Sequence, residues 1–423
     1  MIKDTMSVFF IKVFTIASSF VVMVILARGL GAENRGIFSA LLVVPQLVIA
    51  LTEGGMRQAG TYFIGKREIS ESKVLGALIL FLSIASIFGS FLIYFSLDFN
   101  SFELGKEYLF PLLLIYFLNL SLNLIKGVYL GLGKIKKYNS AVHIQQTIYM
   151  SIVLLLYFYE ELTLENTLFS LIIGLIVSFV LNLYYLVRNT TVILSLDFST
   201  MIIMLKKSWM YALVFFLILS NYKIDIIFLT SWSTLEQVGI YTISTQIADM
   251  LWQLPAAFVV VIMSNASRSV ENDNWYCKVV FLTKINLYIT CLLSFVFVVF
   301  GGFFVNIIFG VEYAYSYNVM CYLLPGVILM TLFKTLNADF AGNGKAHVGL
   351  YIMGPAVMIN ILMNYFLIPG YGAIGAAISS SISYSVSGII SVFLYSRIRN
   401  VPVGKIIMIS MKEIKGNYKE LIR

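Results

Sequence analysis

Long apolar runs separated by short polar segments occupy most of this chain. Twelve can be marked, at roughly 7–28, 36–56, 74–97, 109–132, 139–159, 166–187, 209–230, 238–262, 280–302, 316–341, 346–368 and 373–396. At about 1.5 Å of rise per helical residue, each matches the roughly 30 Å hydrocarbon core of a bilayer. The pattern predicts twelve transmembrane helices joined by loops too short to house a globular domain. The seventh run, WMYALVFFLILSNYKIDIIFLT (Trp209–Thr230), carries Lys223 and Asp225 inside it. A charge at the bilayer centre costs about 2.5–3.5 kcal/mol on insertion scales, so these two residues point to a protein interior or a wet cavity rather than lipid.

The apolar runs also repeat. The second span opens with Gly36-Ile37-Phe38-Ser39 and contains Pro45; the eighth opens with Gly239-Ile240-Tyr241-Thr242 and contains Pro255. The fourth ends in Gly131-Leu132-Gly133-Lys134, the tenth in Gly342-Asn343-Gly344-Lys345. Matching spans are six apart, and an even offset gives both halves one orientation, with a pseudo-two-fold along the membrane normal. The fold class read from the pattern is an all-α integral membrane protein of about 12 transmembrane helices in two six-helix lobes. The predicted divisions are an N-terminal lobe over 1–188, an interfacial linker over 189–208, a C-terminal lobe over 209–396 and a basic tail over 397–423. Within the linker, Met201–Lys207 reads as lying along the membrane surface.

Composition agrees with the pattern. The 423 residues are 60% apolar and 12% charged, against about 25% charged in an ordinary soluble domain. The net charge of +8 is distributed by topology. With the N-terminus inside, 22 basic residues fall in inside segments, and the outside loops hold only Arg28, Arg35 and Lys106. This alternation predicts cytoplasmic N- and C-termini in a multi-pass membrane protein. Basic residues lie in loops and tail rather than in a groove interleaved with aromatics, which argues against nucleic acid. Three cysteines without a CxxC pair and two histidines supply neither a disulfide framework nor a metal site, and no cofactor motif is present.

Four segments carry a family likeness: ARGLGAENRGIFSALLVVPQL (Ala27–Leu47), VGIYTISTQIADMLWQLP (Val238–Pro255), LLPGVILMTLFKTLNADFAGNGK (Leu323–Lys345) and IPGYGAIGAAISSSISY (Ile368–Tyr384). On these, in this order and on this topology, the chain resembles the bacterial polysaccharide-biosynthesis, or O-antigen repeat-unit, flippases of the multidrug/oligosaccharidyl-lipid/polysaccharide (MOP) exporter superfamily. The resemblance implies alternating access of two lobes. It implies an undecaprenyl-diphosphate-linked oligosaccharide as cargo and a proton or sodium gradient as the drive. The resemblance also implies the bacterial cytoplasmic (inner) membrane as the location and leaves a polysaccharide polymerase as one candidate partner.

Eight charged residues lie in or near the spans. For a diphosphate cargo crossing a low-dielectric region, ammonium groups offset lost hydration. Lys334, Lys223, Lys126 and Lys12, with Arg28 at the outer end of the first span, are the candidate cargo contacts. Asp225, Asp249, Asp339 and Glu53 are the candidate ion-coupling or charge-network acids, since a buried carboxylate can take up a proton or sodium ion. Other readings stand beside these. Lys12 and Lys126 lie a turn or two from the inner surface and can snorkel to membrane lipids. Arg28 can anchor to headgroups. Glu53 and Arg57, four apart on one helix, can simply pair. Lys223 and Asp225 point about 200° apart on a helix and cannot pair with each other, leaving Asp249 as a candidate partner for Lys223. A cation-coupled multidrug antiporter of the same superfamily is the alternative function; the in-span lysines favour an anionic cargo over it. An enzyme is disfavoured, because no P-loop, HExxH or GxSxG is present.

Overall fold

The computed structural model describes residues 2–99, 106–189, 196–253, 259, 262 and 275–408 and, of residues 2–12, 98, 99 and 189, the backbone alone. Among the described residues the chain is all-helical. In order the helices are α1 (Ile2–Thr52), α2 (Met56–Lys66), α3 (Glu71–Phe99), α4 (Leu109–Gly131), α5 (Ile135–Phe158), α6 (Leu164–Asn189), α7 (Phe198–Trp232) and α8 (Leu235–Leu251). They continue with α9 (Trp275–Phe309), α10 (Ala314–Gly342), α11 (Val348–Arg399) and α12 (Val403–Ile407), with a 3-10 turn at Val311–Tyr313.

Nine of the described helices are long and apolar enough to cross a membrane. Two of them, α1 with 51 residues and α11 with 52, are long enough to cross twice. Each is broken near its middle, α1 at Gly31 (φ 73°, ψ 173°) and α11 at Gly372 (φ 51°, ψ −126°). The breaks separate the predicted spans 7–28 from 36–56 and 346–368 from 373–396. The predicted span 238–262 begins as α8; beyond residue 253 it lies outside the described residues except for 259 and 262, both helical. Pro255 is among the residues not described.

Hydropathy did not show every helix boundary. The second span ends at Thr52, and a turn through Gly54 (φ 58°) and Gly55 (φ 69°) leads into α2, a short helix in a segment that reads as loop. Met201–Lys207, read as an interfacial stretch, forms the opening turns of α7 and continues without interruption into the seventh span. The start is set by Asp197, whose Oδ1 accepts from the Thr200 N–H and from Ser199 Oγ, each at 3.0 Å, while Oδ2 accepts from Thr200 Oγ1 at 2.9 Å. This is an N-cap by a carboxylate. Those hydrogen bonds hold the exposed Asp197 carboxyl below the usual carboxylate range. At the other end, helix α11 runs through Arg399, and Val401 and Ile406 beyond it are buried.

The chain divides into two compact units, Met1–Leu219 and Ser220–Arg423. In the first, α4 packs against α1, α2, α3, α5 and α6. In the second, α10 packs against α8, α9 and α11. The fourth and tenth spans, paired by the sequence repeat, are thus the central helices of their respective units. Both end in one hydrogen-bonded motif. Leu132, Gly133 and Lys134 N–H groups donate to Val128, Leu130 and Tyr129 carbonyls at 2.9, 3.1 and 2.8 Å. Asn343, Gly344 and Lys345 donate to Asp339, Ala341 and Phe340 at 3.0, 3.1 and 2.8 Å. This is a Schellman-type C-cap, in which the middle residue must adopt positive φ. Gly133 (φ 68°) and Gly344 (φ 74°) supply it, which is why the glycine recurs. The second and eighth spans match in the same way: Ser39 Oγ donates to Arg35 O at 2.9 Å and Thr242 Oγ1 to Val238 O at 2.8 Å.

In the second unit, α10 and α11 approach closely along a face of small residues. Gly326 N–H donates to Ser381 Oγ at 2.9 Å, and a Cβ on Gly326 would stand 2.4 Å from Ser381 Cα. Helix association in lipid depends on such close packing, because lipid supplies no hydrophobic drive. The substitution Gly326→Val will destabilise the protein by about 1–3 kcal/mol, the usual range for an overpacked contact. Gly354→Ala, at a position where an added Cβ meets nothing within 4 Å, will not. Thermal unfolding of the detergent-solubilised variants checks both.

Candidate functional site: intramembrane charges and their partners

Asp225 lies in the second unit, on α7, and is 0% exposed. Its carboxylate has no basic partner among the described residues and is held by neutral donors. The Tyr241 and Ser380 hydroxyls donate to Oδ2, and Asn364 Nδ2 donates to Oδ1 at 2.5 Å. Asn360 extends the cluster: its Oδ1 accepts from Asn364 Nδ2 at 3.0 Å, and its own Nδ2 reaches Ser380 Oγ at 3.4 Å. All four partners are buried, Tyr241, Asn360, Asn364 and Ser380 each at 0% exposure. One turn earlier on α7, Asn221 donates to Ser383 Oγ, which donates to the Ala356 carbonyl. The Asn221 and Asn364 Oδ1 atoms are buried with no hydrogen-bond donor among the described residues. The cluster gathers carboxylate, amide and hydroxyl oxygens with no basic group bonded to the carboxylate among the described residues. That donor set accepts a proton or a hard cation.

Lys223 and Asp225 do not pair, as their spacing requires. The half-buried Lys223 forms no ion pair or hydrogen bond with any described residue. The suggested Lys223–Asp249 pair does not form either. Asp249 sits three residues before Trp252, on the same face of the helix end, and its charge acts on Lys334 instead. Lys334, on α10, places its ammonium 3.4 Å from the Trp252 ring centroid and 5.3 Å from that of Tyr222.

Asp339 is a hub. Completely buried near the end of α10, it accepts from Trp275 Nε1 at 2.8 Å and Asn343 Nδ2 at 2.9 Å on Oδ1. On Oδ2 it accepts from Arg399 Nη2 at 2.8 Å and the Tyr395 hydroxyl at 3.2 Å. One carboxylate thereby ties the start of α9 and the ends of α10 and α11 together.

The first unit holds a smaller cluster. Glu53, 4% exposed at the turn between α1 and α2, pairs with Arg57 Nε at 3.2 Å and accepts from Asn123 Nδ2 at 3.1 Å. Lys126, half-buried on α4, acts electrostatically on Glu53 without forming an ion pair with it. Arg28 is exposed near the Gly31 break. Lys12 is on α1, but its side chain lies outside the described residues. The structure pairs Glu53 with Arg57 in the first unit and sets Lys334 against Trp252 and Tyr222 in the second; Asp225 and Asp339 each gather their own neutral or basic donors.

Sequence reasoning missed several residues. Tyr241, Asn360, Asn364 and Ser380 are uncharged and lie 16 to 155 positions from Asp225, so no local spacing marks them. Lys284, one of the 22 basic residues assigned to inside segments, is 2% exposed within α9; its position four residues into the predicted span 280–302 is the available signal. Arg35, counted with the outside loops, is 4% exposed and stands over the Phe38 ring at 5.4 Å.

Removing the Asp339 carboxylate leaves four donors without their acceptor. Asp339→Ala will cost about 2–3 kcal/mol, at or below the low end for breaking a buried pair because the Arg399 side chain, 29% exposed, keeps some water. Asp339→Asn keeps an acceptor and will cost less. Thermal unfolding of both variants in detergent gives the order.

No family model matches the chain. It is 24% identical over 404 residues to the protein named "Putative O-antigen transporter" of Shigella flexneri, covering 89% of this chain and 93% of that one. Among solved structures it superposes on the lipid II flippase MurJ in an inward closed conformation with a TM-score of 0.75 at 14% identity, covering 96% of this chain and 89% of that one. An inward-facing multidrug resistance MATE family transporter of the MOP superfamily gives a TM-score of 0.72 at 16% identity, covering 92% and 96%. The chain is a multi-pass membrane protein with the fold of the MOP superfamily transporters, similar along most of its length to an O-antigen transporter.

Proposed function

We propose that this protein is a flippase that moves a lipid-linked, diphosphate-bearing oligosaccharide across the cytoplasmic membrane by alternating access, for surface polysaccharide synthesis. The observation that carries this reading is the state of the in-span lysines of the second unit. Lys223 and Lys334 are half-buried, and neither forms an ion pair with a described acid. Cations at membrane depth without bound counter-charge suit an anionic cargo and repel a cationic one. The similarity to an O-antigen transporter over 89% of the chain points to the same cargo class.

The drive is assigned to Asp225. A carboxylate withdrawn from water without a basic partner is costly, and uptake of a proton or sodium ion relieves that cost. Occupation changes the charge at the contact of α7 with α11, so the gradient biases which conformation of the second unit is favoured. Asp339, fully bonded within its hub, acts as an anchor in this scheme rather than as a carrier of the coupling ion.

Reconstituted protein will flip a fluorescent undecaprenyl-diphosphate oligosaccharide in proteoliposomes, faster under an imposed proton or sodium gradient. Lys334→Gln or Lys223→Gln will slow flipping roughly tenfold, the effect of about 1.4 kcal/mol of lost interaction in the rate-limiting state. Asp225→Asn will remove the response to the gradient. Gradient-driven efflux of a cationic dye without flipping of any such lipid would assign the antiporter function instead.

A further inference from the structure

Lys334 sits in an aromatic cage. Its ammonium lies over the Trp252 ring at 3.4 Å and within 5.3 Å of the Tyr222 ring. The Tyr384 ring packs against both of these rings, with centroids 5.6 Å from Tyr222 and 5.8 Å from Trp252, and Tyr222 and Trp252 are themselves 5.6 Å apart. The indole is oriented by its Nε1–H, which donates to the Val327 carbonyl at 3.0 Å. The carboxylate acting on this ammonium, Asp249, is exposed and one turn from Trp252.

An indole face, one tyrosine ring beside it and a carboxylate one turn away form a set of groups of the kind that recognises an organic ammonium ion. In this protein that site is occupied by an ammonium of its own, carried on a four-carbon stem from the neighbouring helix. A tethered occupant competes at a high effective concentration, so a free cation cannot displace it readily.

We infer that Lys334 is the specificity-determining residue of the second unit, a built-in cation that fills an organic-cation site and so closes it to cationic compounds. Discrimination between ligands of opposite charge commonly requires such an element directed against the wrong one. The other half of the selectivity, attraction of an anionic headgroup by the same ammonium, rests on the flippase reading; the cage does not.

The test is equilibrium binding of radiolabelled tetramethylammonium to the full-length purified protein in detergent. Wild type will show no saturable binding. Lys334→Ala will bind the probe saturably, and Lys334→Met, which leaves the cage filled with a neutral side chain, will not. Adding Trp252→Leu to Lys334→Ala will weaken binding by about tenfold or more, as loss of the principal ring face requires, and adding Asp249→Asn will weaken it less. Lys334→Ser serves as a second opened variant if the alanine protein is not monodisperse on gel filtration. A folded Lys334→Ala or Lys334→Ser protein that binds no more probe than wild type overturns the inference, as does binding that survives Trp252→Leu unchanged. Lipid translocation measured on the same wild-type preparation is an independent readout, so failure of the cage and failure of the flippase reading produce different results.

Discussion

Lipid offers no hydrogen bonds, and that deficit governs everything else in this protein. A backbone crossing the hydrocarbon must satisfy its own N–H and C=O groups, so the described chain is helix after helix. The same deficit applies to side chains. Each charge drawn into the spans must find a carboxylate, an aromatic face, a set of hydroxyls and amides, or water. The charged residues of this chain show these solutions side by side: an ion pair at Glu53–Arg57, an aromatic face under Lys334, and a shell of neutral donors around Asp225.

These solutions have different mechanical consequences. The Asp339 hub engages an indole, an amide, a phenol and a guanidinium from three helices, and each donor holds the carboxylate in place. A carboxylate engaged by four donors rigidifies its surroundings, although Arg399 Nε is buried with no acceptor among the described residues. The Asp225 cluster is satisfied on the carboxylate but leaves two amide oxygens nearby without donors among the described residues. The first arrangement joins three helices through one carboxylate and a guanidinium; the second holds its carboxylate with neutral groups alone. Both are built on the same unit, and α10 and α11 contribute to each or pack beside it.

What the sequence disclosed follows from what is local. Span positions follow from runs of apolar residues, and the glycines of the repeat follow from a C-cap geometry in which only positive φ fits, so both were legible. The break points were less so: a hydropathy profile sees the end of an apolar run, not the turn at Gly54–Gly55 that begins a new helix in polar sequence. Charge identity was legible and charge partnership was not. Lys334 was marked by being a lysine at membrane depth, but nothing near it in sequence announces Trp252 or Tyr222. The burial of Lys284 and Arg35 was not legible, because a basic residue close to a span end reads the same whether it faces water or the helix bundle.

The matched second and eighth spans differ at one position in a way that matters. Phe38 and Tyr241 occupy equivalent places, each one residue before a serine or threonine bonded back to its own helix. The aromatic ring is kept; a single oxygen atom is added in the second unit, and that oxygen meets Asp225. A duplicated scaffold can therefore diverge chemically without diverging in shape, since a hydroxyl changes the polarity of a site while leaving the packing of a phenyl ring nearly intact. Symmetry of form and asymmetry of chemistry are compatible at the cost of one atom, and the two halves of such a chain are free to specialise while remaining copies of one design.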